Sequence, residues 1–597
     1  MEHFSPIHDT IAQRAAEAPD AVAVEDDITS LTYRQLVDRT DDLAAELIRR
    51  GVRRNDVVAV HMQRSCALVV ALLAVSRAGA GSLMLDVDGP RRWLSRFIEV
   101  AGPVALITHE DKPALSTEVA VIAVRPDARS AGPAQCAPGC PSQPPVDDAG
   151  PVRFPRIGQE DLACLVQTSG STGEPKLVLV PHRTWSYAAQ TQQRLHGITA
   201  QDHGAWLFPA HTNVSVSVVI WPFLAAGARL SIPAPKIVAA PEELAVWIRE
   251  RGVTQFFAVA PLAEAMARLE WPRSALRLML TGSDRVREWG RYDLPFEVGN
   301  WYGANEVNIV TSSVIPWDKR VTSATATEAD RSGPPPIGRI WPGVTWRVVD
   351  PATDEPVSPG AIGELLVGGE QIAIGYVSAR RTAEKFLPDP QASTPGARLY
   401  RTGDLVRVRP DGLLEHRGRI DEQVKINGVR VEMADVERAL LACPGVREAA
   451  AAAVDTASGR QQLVGYVVTD RAVTDGVLRA ALVELLPAAM VPAAFIRLLR
   501  LPRNRGDKLD RLALPHPDTV VPSPATGATA VVEAVFAELL KVESVAPGDN
   551  FLLLGGDSML AARAARELSR RLGQSVSAKE VLLHPTPVEL AGRLNGG

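Results

Sequence analysis

The chain is poor in cysteine: five in 597 residues cannot build a disulfide framework. That scarcity fits a reducing compartment, and the cytoplasm is the expected location. Cys136 and Cys140 stand close together, but in a Pro/Ala/Gly-rich stretch without a second pair, which argues against a zinc site. No stretch approaches ~20 uninterrupted apolar residues, so no membrane-spanning helix is expected. Residues 1–10 carry acids and histidines and lack the apolar core of a secretory signal. Charge of one sign is not in excess either. A net charge of −5 and a pI near 6.2 give no basis for binding nucleic acid or a membrane surface. No internal repeat is evident.

What is present is an ordinary globular composition, 46% hydrophobic and 22% charged, in a chain long enough for about four domains. Over residues 1–110, short apolar runs alternate with helical patterns. Leu36, Leu43, Leu47 and Ile48 share one helix face, Val57–Val60 reads as a strand, and Leu68–Val75 as a buried helix. Strand alternating with helix predicts a parallel α/β sheet. From about Asp111 to Gly158 the sequence loosens into Pro, Ala, Ser and Gly, and its second half reads as a surface loop. Alternation resumes to about residue 350, with strands expected at Phe256–Val259, Leu276–Leu280 and Phe296–Val298. Residues 341–419 read as a smaller β-rich subdomain punctuated by turns such as Arg409-Pro410-Asp411-Gly412. Residues 420–514 read as a small α+β domain with a helix over Val431–Leu441. A Pro/Thr/Ala linker comes next, and then about 70 residues that look all-helical.

One run has chemistry of its own. Thr168-Ser169-Gly170-Ser171-Thr172-Gly173-Glu174-Pro175-Lys176 succeeds the apolar strand Leu162–Val166. Glycines let backbone N–H groups turn inward, hydroxyls add donors, and Lys176 adds a mobile positive charge, a set suited to phosphate. A Walker A loop cannot be fitted to it. Alone, the run is equally consistent with a solvated turn. Asn300–Glu306 places a carboxylate just beyond a strand, where α/β sheets hold ligands, and is equally a turn with a solvated glutamate. Asp404, in Tyr400-Arg401-Thr402-Gly403-Asp404, is placed to accept ribose hydroxyls or merely to fix a turn. Asp557-Ser558 at a helix start is also consistent with a simple cap.

Taken together and in order, these stretches resemble an adenylation domain of the acyl-adenylate-forming superfamily joined to a peptidyl carrier domain, as in nonribosomal peptide synthetases. The motifs are Leu31–Leu36, Thr168–Lys176, Asn300–Glu306, Gly363-Glu364, Tyr400–Asp404, Gly418–Asp421, Gln423–Lys425, Lys508 and Gly555–Ser558. The resemblance implies an α/β adenylation core over 1–418 and a mobile α+β domain over 419–514. It also implies a linker over 515–528 and a four-helix carrier domain over 529–597.

The implied cofactors are ATP, Mg²⁺ and 4′-phosphopantetheine. ATP would be held by the Thr168–Gly173 loop, Lys176, Gly282, Asn300, Tyr302, Asn305, Asp404 and Arg419, with Glu306 on Mg²⁺ and Lys508 bridging the reacting groups. Asp421 matches the family hinge, and the Lys425–Gly428 loop matches the part that serves the thioester step. Ser558 matches the phosphopantetheine attachment point. The implied partners are a small carboxylic acid, a phosphopantetheinyl transferase, downstream synthetase or tailoring enzymes, and a small MbtH-like activator protein. On this reading the chain is a free-standing loading didomain.

The sequence also departs from the family. Ala304 and Asn305 replace a proline and a threonine, and Asn504 and Gly506-Asp507 depart from the residues usual before the lysine. Val214 falls where amino-acid-activating members carry an aspartate for the α-ammonium. The other pocket positions by motif matching are Ser215, Val218, Ala258, Met279, Thr281, Trp301, Ile309 and Val310, none of them acidic. A compact acid without an α-ammonium is therefore expected: an aryl, α-keto or α-hydroxy acid. The alternatives are a neutral α-amino acid met by backbone carbonyls and Ser215, a ligase delivering to coenzyme A, or a non-catalytic scaffold. Periodicity and resemblance conflict at one place. Alternation over Val214–Val218 predicts a strand, whereas the family places a pocket-lining helix there; the ungapped Trp221-Pro222 and Gly227-Ala228 landmarks favour the helix.

Overall fold

A computed structural model describes residues 4–109, 120–125, 130–133, 152–168, 175–286, 294–315, 335–421, 423–426, 429–455, 461–469, 473–503, 509–516 and 528–595, the last range without 541, 543–544, 546, 548, 553 and 557. Most of the stretch expected to be a surface loop, with Cys136 and Cys140, lies outside these residues. Two compact units divide the chain after Asp421, with residues 88–93 grouped with the second.

The first unit is built on three sheets. Helix α1 (Tyr33–Arg49) starts at a capping box between Thr32 and Gln35 and buries Leu36, Leu43 and Leu47 on one face. Strand β1 (Val57–His61) leads into α2 (Cys66–Arg77), apolar on every side and buried throughout its length up to Ser76. Strand β2 (Gly81–Met84) pairs in parallel with β1 and with β3 (Leu162–Thr168), and β3 turns back antiparallel into β4 (Lys176–Pro181). These strands form the middle of an eight-stranded sheet. Helix α3 (His182–His196) continues directly from β4.

A nine-stranded sheet carries, in parallel, β5 (Gln255–Val259), β6 (Leu278–Gly282) and β7 (Glu297–Ala304), with β8 (Asn308–Ile315) antiparallel beside β7. The third sheet contains β9 (Ile362–Gly369), β10 (Arg398–Val408) and β11 (Leu414–Arg419).

Two sequence expectations need correction, and one conflict is resolved. Over Val214–Val218 the helix favoured by the Trp221-Pro222 and Gly227-Ala228 landmarks is present and the strand suggested by alternation is not: Val214–Ile220 is a π-type helix running into a short α-helix, Trp221–Ala226. Alternation misleads because the serines are not a solvent face. Ser215 and Ser217 are buried, and their hydroxyls bond to the Pro209 and Asn213 carbonyls. Pro222, which lacks an N–H and crowds the carbonyl four residues back, comes at once, and a widened turn accommodates it. The strand expected over Phe296–Val298 extends to Ala304, so the Asn300–Ala304 motif is itself strand, buried from Asn300 to Tyr302, rather than a loop beyond one. The helix expected from Val431 starts at Met433, because Val431 closes a strand, Val429–Val431, that pairs with Val424–Ile426.

The second unit contains a three-stranded sheet of residues 446–455, 461–469 and 494–497, and four helices among its last described residues. These are Ala528–Leu540, Ser558–Leu572, Ala578–Leu583 and Pro587–Asn595, packed around Phe536, Phe551, Leu568 and Leu590. Thus the α/β core, the small α+β part and the four-helix carrier are all present. Among the described residues, no helix is long and apolar enough to cross a membrane.

Candidate active site

Strands β3 and β4 bring Thr168 and Lys176 opposite each other, the last residue of one strand paired with the first of the other. Ser169, Gly170, Ser171, Thr172 and Gly173 of the connection lie outside the described residues, as do Lys508 and Gly428. Lys425 lies in the strand Val424–Ile426.

Asp404, on β10, is the centre of the best-defined polar cluster. Its Oδ2 accepts from the Tyr302 hydroxyl at 2.7 Å, and its Oδ1 from Arg419 Nη1 at 2.7 Å, with His416 Nε2 3.0 Å away. Arg419 also forks onto Asp421, at 2.7 and 2.8 Å, a bidentate pair. The backbone between them is specified tightly. Gly403 is left-handed, φ 74°, and a side chain there would meet Arg419; its N–H donates to Glu364 Oε1 at 2.9 Å. Burial, with the Asp404 charge beside it, pushes the Tyr302 phenol well above its ordinary pKa, so it stays a donor. Burial likewise raises Glu364, against the opposing Gly403 N–H.

Glu306 sits in the turn between β7 and β8 and is fully buried. Its Oε1 accepts from Tyr376 Oη at 2.8 Å, and its carbonyl from Ala373 N–H at 2.8 Å. Among the described residues no group of three or more His, Cys, Asp or Glu forms a metal cage. A single carboxylate fits magnesium, which takes few protein oxygens and completes its shell with waters and substrate phosphates.

The residues expected to line an acyl pocket fall on two faces of the nine-stranded sheet. The register pairs Ala258 with Thr281 and Thr281 with Asn300, so these share one face, and alternation adds Met279. Trp301 is one residue on and faces the other way. There it packs on Phe257 and His196, with ring centroids 5.2 and 5.1 Å away, and on Trp341. Val218, Trp301, Ile309 and Val310 share one hydrophobic cluster, with Val214 packed against it. Val310 is the extra residue of a bulge, since Ile309 pairs with Gly303 and Thr311 with Tyr302. Ser215 is buried and its hydroxyl is occupied: it accepts from Trp206 Nε1 at 2.9 Å and donates to the Pro209 carbonyl at 2.7 Å. Asn300 Nδ2 donates to the Pro336 carbonyl at 3.2 Å, Asn305 is half-buried in the turn, and Gly282 has no room for a Cβ beside the Trp301 carbonyl.

In the second unit, Ser558 is the first residue of its helix, and Asp557 lies outside the described residues. The two glycines before it are demanded by geometry. Gly555 is left-handed, φ 103°, and a Cβ on Gly556 would overlap the Phe551 ring and carbonyl. Gln462 Nε2 donates to the Gly556 carbonyl at 3.1 Å and to that of Leu552.

Tyr376, His416 and Glu364 join these clusters without having been singled out as ligands. Nothing local in the sequence marks Tyr376 or His416, because their partners stand 70 and 12 residues away.

Known proteins share this organisation. The model of the AMP-binding enzyme family matches residues 11–377, that of the AMP-binding enzyme C-terminal domain 435–508, and that of the phosphopantetheine attachment site 530–594. One of the linear gramicidin synthase subunits of Brevibacillus parabrevis is 34% identical over 98% of this chain, which spans 11% of that protein. Enterobactin synthase component F of Escherichia coli K12 is 32% identical over 97% of the chain and 45% of its own length. The fold is shared with a solved nonribosomal peptide synthetase protein containing adenylation and PCP domains, with a TM-score of 0.77, 23% identity and coverage of 99% of this chain and 96% of that one.

Proposed function

We propose a function from the premise that this chain belongs to the AMP-binding enzyme family. It is an ATP-dependent acyl-adenylate-forming ligase with a phosphopantetheine attachment domain in the same chain, and its cofactors are ATP with Mg²⁺ and 4′-phosphopantetheine. The proposal is that the chain adenylates a compact carboxylic acid lacking an α-ammonium and loads it onto its own carrier. The domains proposed are 1–418, 419–514, a linker 515–528 and 529–597. A phosphopantetheinyl transferase would install the arm, an MbtH-like protein would assist, and downstream enzymes would receive the acyl group in the cytoplasm.

In the first step a substrate carboxylate oxygen bonds to the α-phosphorus of ATP while the bond to pyrophosphate breaks. The chain's residues must neutralise phosphate charge and hold both reactants still. Lys176 and the 168–173 loop are assigned to the departing phosphates, Lys508 to the reacting oxygens, and Glu306 to the magnesium, which when bound screens the phosphates. Tyr302 and Asn300 are assigned to adenine, with Gly282 and Asn305 alongside, and Asp404, oriented by Arg419, to the ribose. In the second step AMP leaves as the acyl group passes to sulfur; the pantetheine arm on Ser558 supplies that thiol. Asp421 is the proposed hinge between the steps, with Lys425 and Gly428 serving the second.

The substrate class is carried by one observation: the position expected to anchor an ammonium is Val214, and the neighbouring Ser215 hydroxyl is already fully engaged. An ammonium buried there would lack a compensating carboxylate, at a cost of several kcal/mol. ATP–pyrophosphate exchange over matched amino, keto, hydroxy and aryl acids tests this. Preference for an amino acid would overturn the substrate class; exchange with none would overturn the function.

A further inference from the structure

Within the second unit the carrier helices are seated on the small α+β part, and the contacts are polar and specific. Gln462, on the strand 461–469, is buried and donates through Nε2 to the Gly556 carbonyl at 3.1 Å and to the Leu552 carbonyl. Asn550 donates in the opposite sense, from Nδ2 to the Ala493 carbonyl at 2.7 Å. Helix 475–483 packs against helix 578–583. Arg479, only 3% exposed, fixes the α+β side of the seat: Nη1 donates to the Pro492 carbonyl at 2.9 Å and Nη2 to that of Ala493 at 3.3 Å. Burial lowers the pKa of this guanidinium, and the Glu589 carboxylate of the carrier's last helix opposes that shift.

The seated loop is the one that leads to Ser558. Asn550 Oδ1 accepts from Leu552 N–H at 2.9 Å, which shapes the loop, and Gly555 and Gly556 are both buried. Ser558 comes two residues later as the first residue of its helix. The backbone on the approach to the attachment serine is therefore engaged by a side chain from outside the carrier. Neither Gln462 nor Asn550 has a part in the steps described above.

We propose that this face of the α+β part is a docking seat for the chain's own carrier, and that it withholds the carrier from the phosphopantetheinyl transferase: the arm is installed only on carrier that has left the seat. This rests on the reading of Ser558 as the attachment point. In that step the serine oxygen bonds to the pantetheine phosphorus of coenzyme A and the phosphoanhydride bond breaks. Adenosine 3′,5′-bisphosphate leaves with its electron pair, and the hydroxyl proton passes to a base of the transferase. An enzyme acting there must close over the start of the Ser558 helix, where Gln462 already holds the Gly556 carbonyl. A seat resting on a few neutral hydrogen bonds opens readily, as contacts between parts of one chain generally do unless they are large and hydrophobic.

The test is the initial rate at which the full chain gains the arm, read by intact mass with a phosphopantetheinyl transferase and coenzyme A. With the chain below its KM for the transferase, that rate scales with the undocked fraction. Gln462→Leu removes both bonds donated to the loop. Asn550→Asp keeps the acceptor for Leu552 N–H but sets an oxygen against the Ala493 carbonyl. Each should speed installation about fivefold or more, while ATP–pyrophosphate exchange stays at the wild-type level. A carrier that had lost its fold would take up the arm more slowly, so the direction of the change separates release from damage. Faster installation in either variant supports the seat; unchanged or slower installation in both overturns this inference alone. A wild type that takes up no arm overturns the attachment reading of Ser558, and this inference with it.

Discussion

Tyr302 and Asp404 join two sheets through a single hydrogen bond of 2.7 Å: the phenol comes from β7 of the nine-stranded sheet, the carboxylate from β10 of the third sheet. The bond holds a proposed adenine contact against a proposed ribose contact before any nucleotide arrives. Preorganisation of this kind lowers the ordering cost of binding.

Tyr302→Phe keeps the ring and removes that bond. A hydrogen bond to a charged group contributes about 1.5–3 kcal/mol, so KM for ATP should rise about tenfold or more. The KM for the acid should change little. Initial-rate kinetics in both substrates separates the two.

Gly556→Ala puts a methyl group where the Phe551 ring and carbonyl already are. Overpacking of this kind costs about 1–3 kcal/mol. The carrier should lose stability and accept the pantetheine arm poorly, while adenylation, read as hydroxamate formation, continues. Thermal unfolding and intact mass together check both halves.

The histidines predict a pH dependence of stability. Burial holds His182 down to about 3, with the neighbouring His8 adding to the shift, and holds His196 down to about 4, with Arg277 adding there. The unfolded chain therefore binds more protons than the folded one between those values and 6.5. Stability should rise with pH up to about 6.5 and flatten above it, and be lost progressively in acid. Denaturant midpoints across that range measure the slope, and His196→Leu should make it shallower.

Lys508→Ala should abolish adenylate formation, because that lysine is the proposed bridging cation. Val214→Asp should shift exchange towards amino acids by supplying the missing carboxylate. Near-normal adenylation by the first variant, or unchanged preference in the second, would remove the assignment concerned.

Local chemistry was legible in the sequence wherever it is contiguous. The apolar α2 and the Gly555-Gly556 pair can each be read from a few neighbouring residues. Long-range partnerships were not. Tyr376 meets Glu306, and His416 meets Asp404, only because separate strands converge. Periodicity failed at Val214–Val218 because it assumes that a serine marks solvent, and here buried carbonyls satisfy both serines. Strand alternation also divides the pocket positions between two faces, which motif matching in one dimension does not resolve.

The most direct test of the whole account is intact mass of the purified chain. It is treated with a phosphopantetheinyl transferase and coenzyme A, and then with ATP, Mg²⁺ and the acid that gives strongest exchange. One added arm and then one added acyl group are expected in the wild type, and neither in Ser558→Ala, which should still exchange pyrophosphate. An arm on the Ser558→Ala variant, or a wild type that gains the arm and never the acyl group, would contradict it.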